Sequence, residues 1–146
     1  ARNRNKYPFS DSSQSRFNNN NLFMTRTEPI IAVKSVIKSS EWYQKLLDCN
    51  SSHGGETFEI LTDHDGTVIL CLHLWGEHEH PTMANPEIPI GNGLILYIRV
   101  TNLTNIWENA QFLNANIHQE PHFNPNSGQH QFTLRDPDGY YLMISE

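Results

Sequence analysis

The chain carries one short turn signature twice. Asp63-His64-Asp65-Gly66 returns as Asp136-Pro137-Asp138-Gly139, 73 positions later. Each copy follows an apolar or aromatic segment (Phe58 to Leu61; Phe132 to Leu134) and precedes another (Val68 to Leu74; Tyr140 to Ile144). An Asp-Gly pair between two such segments marks a β-hairpin, because glycine takes the positive φ that a tight turn needs. Upstream of each hairpin a strand-like segment feeds a helix-like one. The first pair is Ile30 to Val33, then Ser39 to Leu47; the second is Leu94 to Val100, then Thr104 to Leu113. Val33 and Val100 lie 67 positions apart, against 73 for the turns, so the second copy holds an insertion, placed near Pro121 to Gly128. The pattern is one unit of strand, helix and two or three strands, used twice.

Local chemistry supports both helices. Ser39 or Ser40 is positioned to cap the free N–H groups of a first turn, and Glu41 suits its positive end. Trp42, Tyr43, Leu46 and Leu47 form one apolar stripe. In the second helix Asn105 and Glu108 have capping-box spacing, and Ile106, Ala110 and Leu113 recur at i, i+4 and i+7. Gly54-Gly55 and Gly91-Asn92-Gly93 are breakers, and Pro81, Pro86 and Pro89 make residues 76–92 a connector.

Residues 1–23 differ from the rest. They hold six Asn, four Ser, four basic groups and one acid, a charge of +3, whereas the remaining residues sum to −9. With little to bury, residues 1–27 read as a low-complexity leader, disordered or non-native, with Met24 as a candidate start. Residues 28–146 read as a single domain: module one at about 28–75, the connector, and module two at about 93–146. An acidic chain without a basic stripe is a poor partner for nucleic acid. No apolar run reaches membrane-spanning length, and two cysteines, Cys49 and Cys71, make no disulfide scaffold. The composition points to a soluble, cytoplasmic chain.

The segment Val33-Lys34-Ser35-Val36-Ile37-Lys38-Ser39-Ser40-Glu41-Trp42-Tyr43-Gln44-Lys45-Leu46-Leu47 resembles the opening of the vicinal oxygen chelate superfamily. This superfamily holds glyoxalases, extradiol dioxygenases, and fosfomycin- and bleomycin-resistance proteins. Phe132-Thr133-Leu134-Arg135-Asp136-Pro137-Asp138-Gly139-Tyr140 resembles its last hairpin. The family's acid and Phe-Tyr pair are replaced here by Ser35 and Trp42-Tyr43. The resemblance covers residues 28–146. It implies an α+β fold of two tandem βαβββ modules, whose curved mixed sheets surround a cleft with one helix per module outside, commonly in a homodimer.

Enzymes of the family hold a divalent metal with His and Glu side chains on the cleft face, where it polarises paired substrate oxygens. Carried over residue by residue, the ligand positions fall on Glu28, Ile95, Met143 and Leu70. Glu28 is a possible ligand and the other three are not. A slip of one residue offers only Leu94 or Leu96, Leu142 or Ile144, and Ile69 or Cys71. The resemblance is therefore closest to the metal-poor, bleomycin-resistance-like members, and no cofactor is expected. A divalent metal remains the alternative, held by Glu28 with His73, His78 and His80 from the dense run His73 to His80, which includes Glu77 and Glu79. The other histidines, among them His118, read as surface residues.

Strand alternation assigns faces. If Glu28, Leu70, Ile95 and Met143 face the cleft, so do Ile30, Ala32, Leu72, Leu74, Tyr97, Arg99 and Tyr141. The candidate ligand-binding set is Tyr97, Arg99, Tyr141, Leu70, Leu72, Met143, Ile95 and Trp75, an apolar and aromatic surface with one cation. For Leu70, Leu72 and Met143 the competing assignment is core packing or a dimer interface. Cys71 alternates with these positions and reads as a buried, helix-facing small hydrophobe. The hairpin aspartates read as turn residues, not acid–base pairs, and no catalytic set is visible. The leading expectation is small-molecule binding of the sequestration or resistance type. The alternative is a metal-dependent lyase, isomerase or dioxygenase with atypical ligands.

Overall fold

The computed structural model describes residues 26–92 and 94–146. The predicted leader thus lies outside the described residues, apart from Arg26 and Thr27. Strand β1 (Ile30–Val33) leads into helix α1 (Val36–Leu47), and β2 (Asn50–Ser51), β3 (Phe58–Thr62) and β4 (Val68–Leu74) complete a four-stranded sheet ordered β1-β4-β3-β2. A 3-10 turn at Pro81–Met83 interrupts the connector. The second copy runs β5 (Leu96–Arg99), α2 (Leu103–Phe112), β6 (Asn116–Asn124), β7 (Gln129–Arg135) and β8 (Tyr141–Ser145), ordered β5-β8-β7-β6. Each sheet is mixed, with its first strand parallel to its last and the other pairs antiparallel. These are the two tandem βαβββ modules, one helix to each. The inserted residues lengthen β6, which runs through Pro121 to nine residues where β2 has two.

Both helices begin earlier than their sequence signals suggest. The cap of α1 is Ser35, whose hydroxyl accepts from Lys38 N at 3.3 Å. Ser39 and Ser40 lie inside the helix, buried, and bond to other elements. Asn102, not Asn105, caps α2 and accepts from Asn105 N at 3.2 Å. The two caps lie 67 positions apart, as Val33 and Val100 do, so the repeat marks the helix starts better than local preference does.

One apolar core spans both modules. Val33, Val36, Tyr43, Leu46, Leu61, Leu70 and Leu72 from the first join Leu96, Ile106, Phe132, Leu134, Leu142 and Ile144 from the second. The helices meet directly, with Asn109 Nδ2 donating to the Leu46 carbonyl at 3.1 Å. The second hairpin turn then ties the modules together. Asp138 accepts from Lys34 N at 2.8 Å and from Ser39 Oγ at 3.1 Å. Asp136 accepts from the Tyr43 phenol at 2.7 Å and from Asp138 N and Tyr140 N. The Tyr140 phenol donates to the Ala32 carbonyl at 2.9 Å. The turn aspartates therefore do more than shape their own hairpin. Burial raises the carboxyl pKa of Asp136, which its hydrogen-bond donors only partly offset. Burial, then the charge of Asp136, raises the Tyr43 phenol, and Tyr140 is pushed up to about 12, mainly by burial. Both phenols stay protonated and able to donate.

Glu59 does a second job within the first module. Its carboxylate accepts from Ser40 and Ser51 hydroxyls and from the N–H groups of His53, Gly54 and Ile60. Burial alone raises its pKa, but these donors outweigh that and leave it below the usual value.

Two stability measurements follow from these contacts. Tyr43→Phe removes one donor from a buried carboxylate and costs about 1–3 kcal/mol in urea unfolding. Glu59→Gln is less stable than the wild type at neutral pH. Because the folded pKa of Glu59 is depressed, its contribution is complete above the unfolded value of about 4.3 and lost as pH falls through the folded one. The gap between variant and wild type, followed by urea midpoint against pH, accordingly closes below about pH 4.

Candidate functional site

Cross-strand partners share a face, so the registers fix which side chains turn away from the helices. In the second sheet these form two rows: Tyr97, Met143 and Thr133, then Arg99, Ser145 and Gln131. Tyr141 and Arg135 form a third. Tyr97, Arg99, Tyr141 and Met143 thus stand on one face, as alternation predicts.

The first sheet departs from the prediction. Leu61 pairs with Leu70, but Thr62 pairs with Val68, so Ile69 is one residue extra in β4. Such an insertion turns every later side chain to the opposite face. Leu70 and Leu72 therefore point into the core under α1, with 2% and 0% exposure. They do not line a cleft, and Leu74 shares their face. Cys71 and His73 take the helix-remote face instead, in the rows Ile30, Cys71, Ile60 and Ala32, His73, Phe58. Cys71 is buried as expected, and burial raises its thiol pKa, but its face is the opposite of the one predicted.

The two helix-remote faces differ in chemistry. The first is apolar apart from His73. The second is polar, and it includes residues that the sequence reading passed over. His118 Nδ1 lies 3.3 Å from Thr133 Oγ1 and its ring meets Tyr141 edge-on. Asn124 Nδ2 donates to Gln131 Oε1 at 3.1 Å. Ser145 is fully buried, and its hydroxyl has no partner among the described residues. Alternation extended along β7 would have marked Thr133 and Gln131, whereas nothing local marks His118.

Tyr97 and Arg99 also border a groove of about 410 Å³ at the free edge of β5. It is also lined by apolar Leu47, Ile69, Ile98, Val100 and Ile106, by Asp48, Asp63 and His64, and by Thr101, Asn102 and Asn105. Arg99 stacks on Tyr97, guanidinium carbon 5.9 Å from the ring centre, and pairs with no carboxylate among the described residues. Ile95 lies just before β5 and is half exposed. Trp75 sits apart from the groove, in a cavity of about 350 Å³ shared with Ile88, Pro89, Ile90 and Tyr140.

Solved structures match most of the chain at low identity. A glyoxalase/bleomycin resistance protein/dioxygenase family enzyme from Burkholderia phytofirmans PsJN superposes with a TM-score of 0.65 at 16% identity, covering 80% of this chain and 93% of its own. The bleomycin resistance determinant encoded on transposon Tn5 gives 0.61 at 17%, covering 84% and 98%. A bleomycin-binding protein complexed with bleomycin gives 0.60 at 17%, again covering 84% and 98%. The chain has the glyoxalase/bleomycin-resistance/dioxygenase fold. No family model and no curated protein matches the sequence.

The register shift moves the β4 position that the family resemblance gives for a metal ligand from Leu70 to Cys71. The four positions then hold Glu28, Cys71, Ile95 and Met143. Glu28 is engaged by Arg26, at 2.9 Å. One carboxylate and one thiol do not make the His and Glu set that this chemistry uses. His73, His78 and His80 do come together at the end of β4. Their ring centres are 5.1 to 6.4 Å apart, and His73 Nε2 lies 3.1 Å from His78 Nδ1. Glu28 is not among them, and no three such side chains among the described residues form a metal-binding group.

Proposed function

We propose that the chain is a small-molecule-binding protein of the sequestration or resistance type, cytoplasmic and homodimeric, with its ligand in the groove beside β5. The observation that carries this is Arg99. A guanidinium stacked on Tyr97, with no carboxylate partner among the described residues, borders a partly apolar groove of ligand-sized volume. Two of the fold neighbours are a bleomycin resistance determinant and a bleomycin-binding protein, which supports the same class of activity. Half-exposed Ile30 and Tyr97 on the helix-remote faces favour a second copy packing there. Two buried, unpaired thiols suit a reducing compartment.

A thermal-shift screen of aromatic and cationic small molecules, bleomycin included, tests this reading. A ligand that binds the folded state raises the melting temperature. Arg99→Ala weakens a hit that carries an acceptor or anionic group by about 10- to 100-fold, the value of a charge-assisted hydrogen bond. Such hits with unchanged affinity for Arg99→Ala overturn the assignment to this groove.

The His73–His78 contact favours a second reading, a metal-dependent lyase, isomerase or dioxygenase. His73 Nδ1 lies 2.8 Å from the Leu74 carbonyl and donates to it, which leaves Nε2 as the lone pair facing His78. This reading expects about one metal per untagged chain after dialysis against a mild chelator, lost in His73→Ala. Equal metal content in the variant and the wild type removes it.

A further inference from the structure

The internal repeat supplies its own comparison. The second hairpin turn is bonded to the start of α1, whereas the first hairpin turn and the start of α2 line one groove. The two junctions are not equal. At the first, the phenols of Tyr43 and Tyr140 and the carboxylate of Asp138 fill the space between the modules. The repeat puts Ala110 where Tyr43 stands and Thr67 where Tyr140 stands. Asp65 stands for Asp138, but it is exposed and bonds the N–H of its own Thr67 at 2.9 Å. Both phenols are therefore missing and the Asp65 carboxylate is kept by its own turn, and the groove is lined by Asp63, Thr101 and Ile106, the counterparts of Asp136, Lys34 and Ser39.

Part of the receiving half is retained, although Ser39, the second donor to Asp138, is replaced by Ile106. Asp63 corresponds to Asp136, the acceptor for a phenol. Thr101 corresponds to Lys34, whose N–H holds the Asp138 carboxylate. Arg99 stands beside Thr101 and adds a guanidinium that the other junction lacks. We propose that the groove takes a small aromatic molecule bearing both a phenol and a carboxylate. Its phenol donates to Asp63 as Tyr43 does to Asp136, its carboxylate meets Thr101 N–H and Arg99, and its ring lies on Ile69 and Ile106. This rests on the assignment of the groove as the ligand site and names the ligand's chemical class.

The probe is 4-hydroxyphenylacetate, titrated into the full chain and followed by amide chemical shifts. Saturable shifts are expected at Asp63, Thr101 and Ile106. Phenylacetate, without the phenol, and 4-hydroxyphenylacetamide, without the charge, bind at least about tenfold more weakly, the loss of one hydrogen bond to a charged group. Thr67→Tyr, at an exposed turn position, restores the phenol that Tyr140 supplies at the other junction and fills the edge of the groove beside Asp63. It is expected to abolish binding while keeping or raising the melting temperature, which shows that the variant is folded. No binding of 4-hydroxyphenylacetate, equal binding of the three compounds, or binding untouched by Thr67→Tyr each overturns the proposal. If Thr67→Tyr blocks a different ligand from the screen, the groove assignment stands and only the ligand class falls. If it blocks none and Arg99→Ala affects none, both fall.

Discussion

Asp136 is the point through which the two modules are joined. A carboxylate excluded from water is costly unless donors replace the lost hydration. Here three do so in part, and they come from two different constraints. Asp138 N and Tyr140 N belong to the hairpin's own turn, while Tyr43 comes from α1 of the other module. The turn is thereby held in shape through Oδ1 of the same carboxylate whose Oδ2 holds the other module. Tyr43 is fully buried in the shared core, so its ring and its hydroxyl act together. Displacing the modules would expose apolar surface and strand a carboxylate at the same time, which makes their docking cooperative.

The repeat made much of this legible. Two hairpins, two helices and the order of strands follow from the Asp-Gly turns and the apolar spacing, and the insertion falls in β6 as the unequal offsets require. What misled was a single residue. Period-two alternation carries face assignments along a strand only while the register is unbroken. Ile69 breaks it, so Leu70 and Leu72 go to the core and Cys71 and His73 to the other face. Alternation had no means of showing this, because Ile69 is as suitable a strand residue as its neighbours. Register shifts show only in the pairing with β3. β5 and β8 pair without interruption, and there the assignments of Tyr97, Arg99, Tyr141 and Met143 match the structure.

The helix starts teach the converse. Ser39 and Ser40 are good capping residues by type, yet both are used inside α1 as side-chain partners of Asp138 and Glu59. Competition from tertiary hydrogen bonds outranked local preference. Reading the two copies against each other would have placed both caps, since Ser35 and Asn102 occupy the same position in the repeat. His118 shows the limit of that approach. Its approach to Thr133 and Tyr141 depends on an irregular stretch of β6 that has no counterpart in the first module.

On the proposed reading of the groove, duplication also divides stability and binding in so small a protein. A symmetric pair of junctions would offer two docking contacts and no space. Here one copy keeps the long side chains and secures the modules. The other keeps Asp63 and the Thr101 amide but has Ala110 and Thr67 in place of the two tyrosines. Because helix packing and one continuous core already hold the second junction at the right distance, truncating it opens a groove without releasing the modules. A site formed this way is preorganised: its polar groups are fixed by the same repeat geometry that positions Asp136 and Tyr43 against each other. A ligand entering it meets walls that are already in place and does not have to order them.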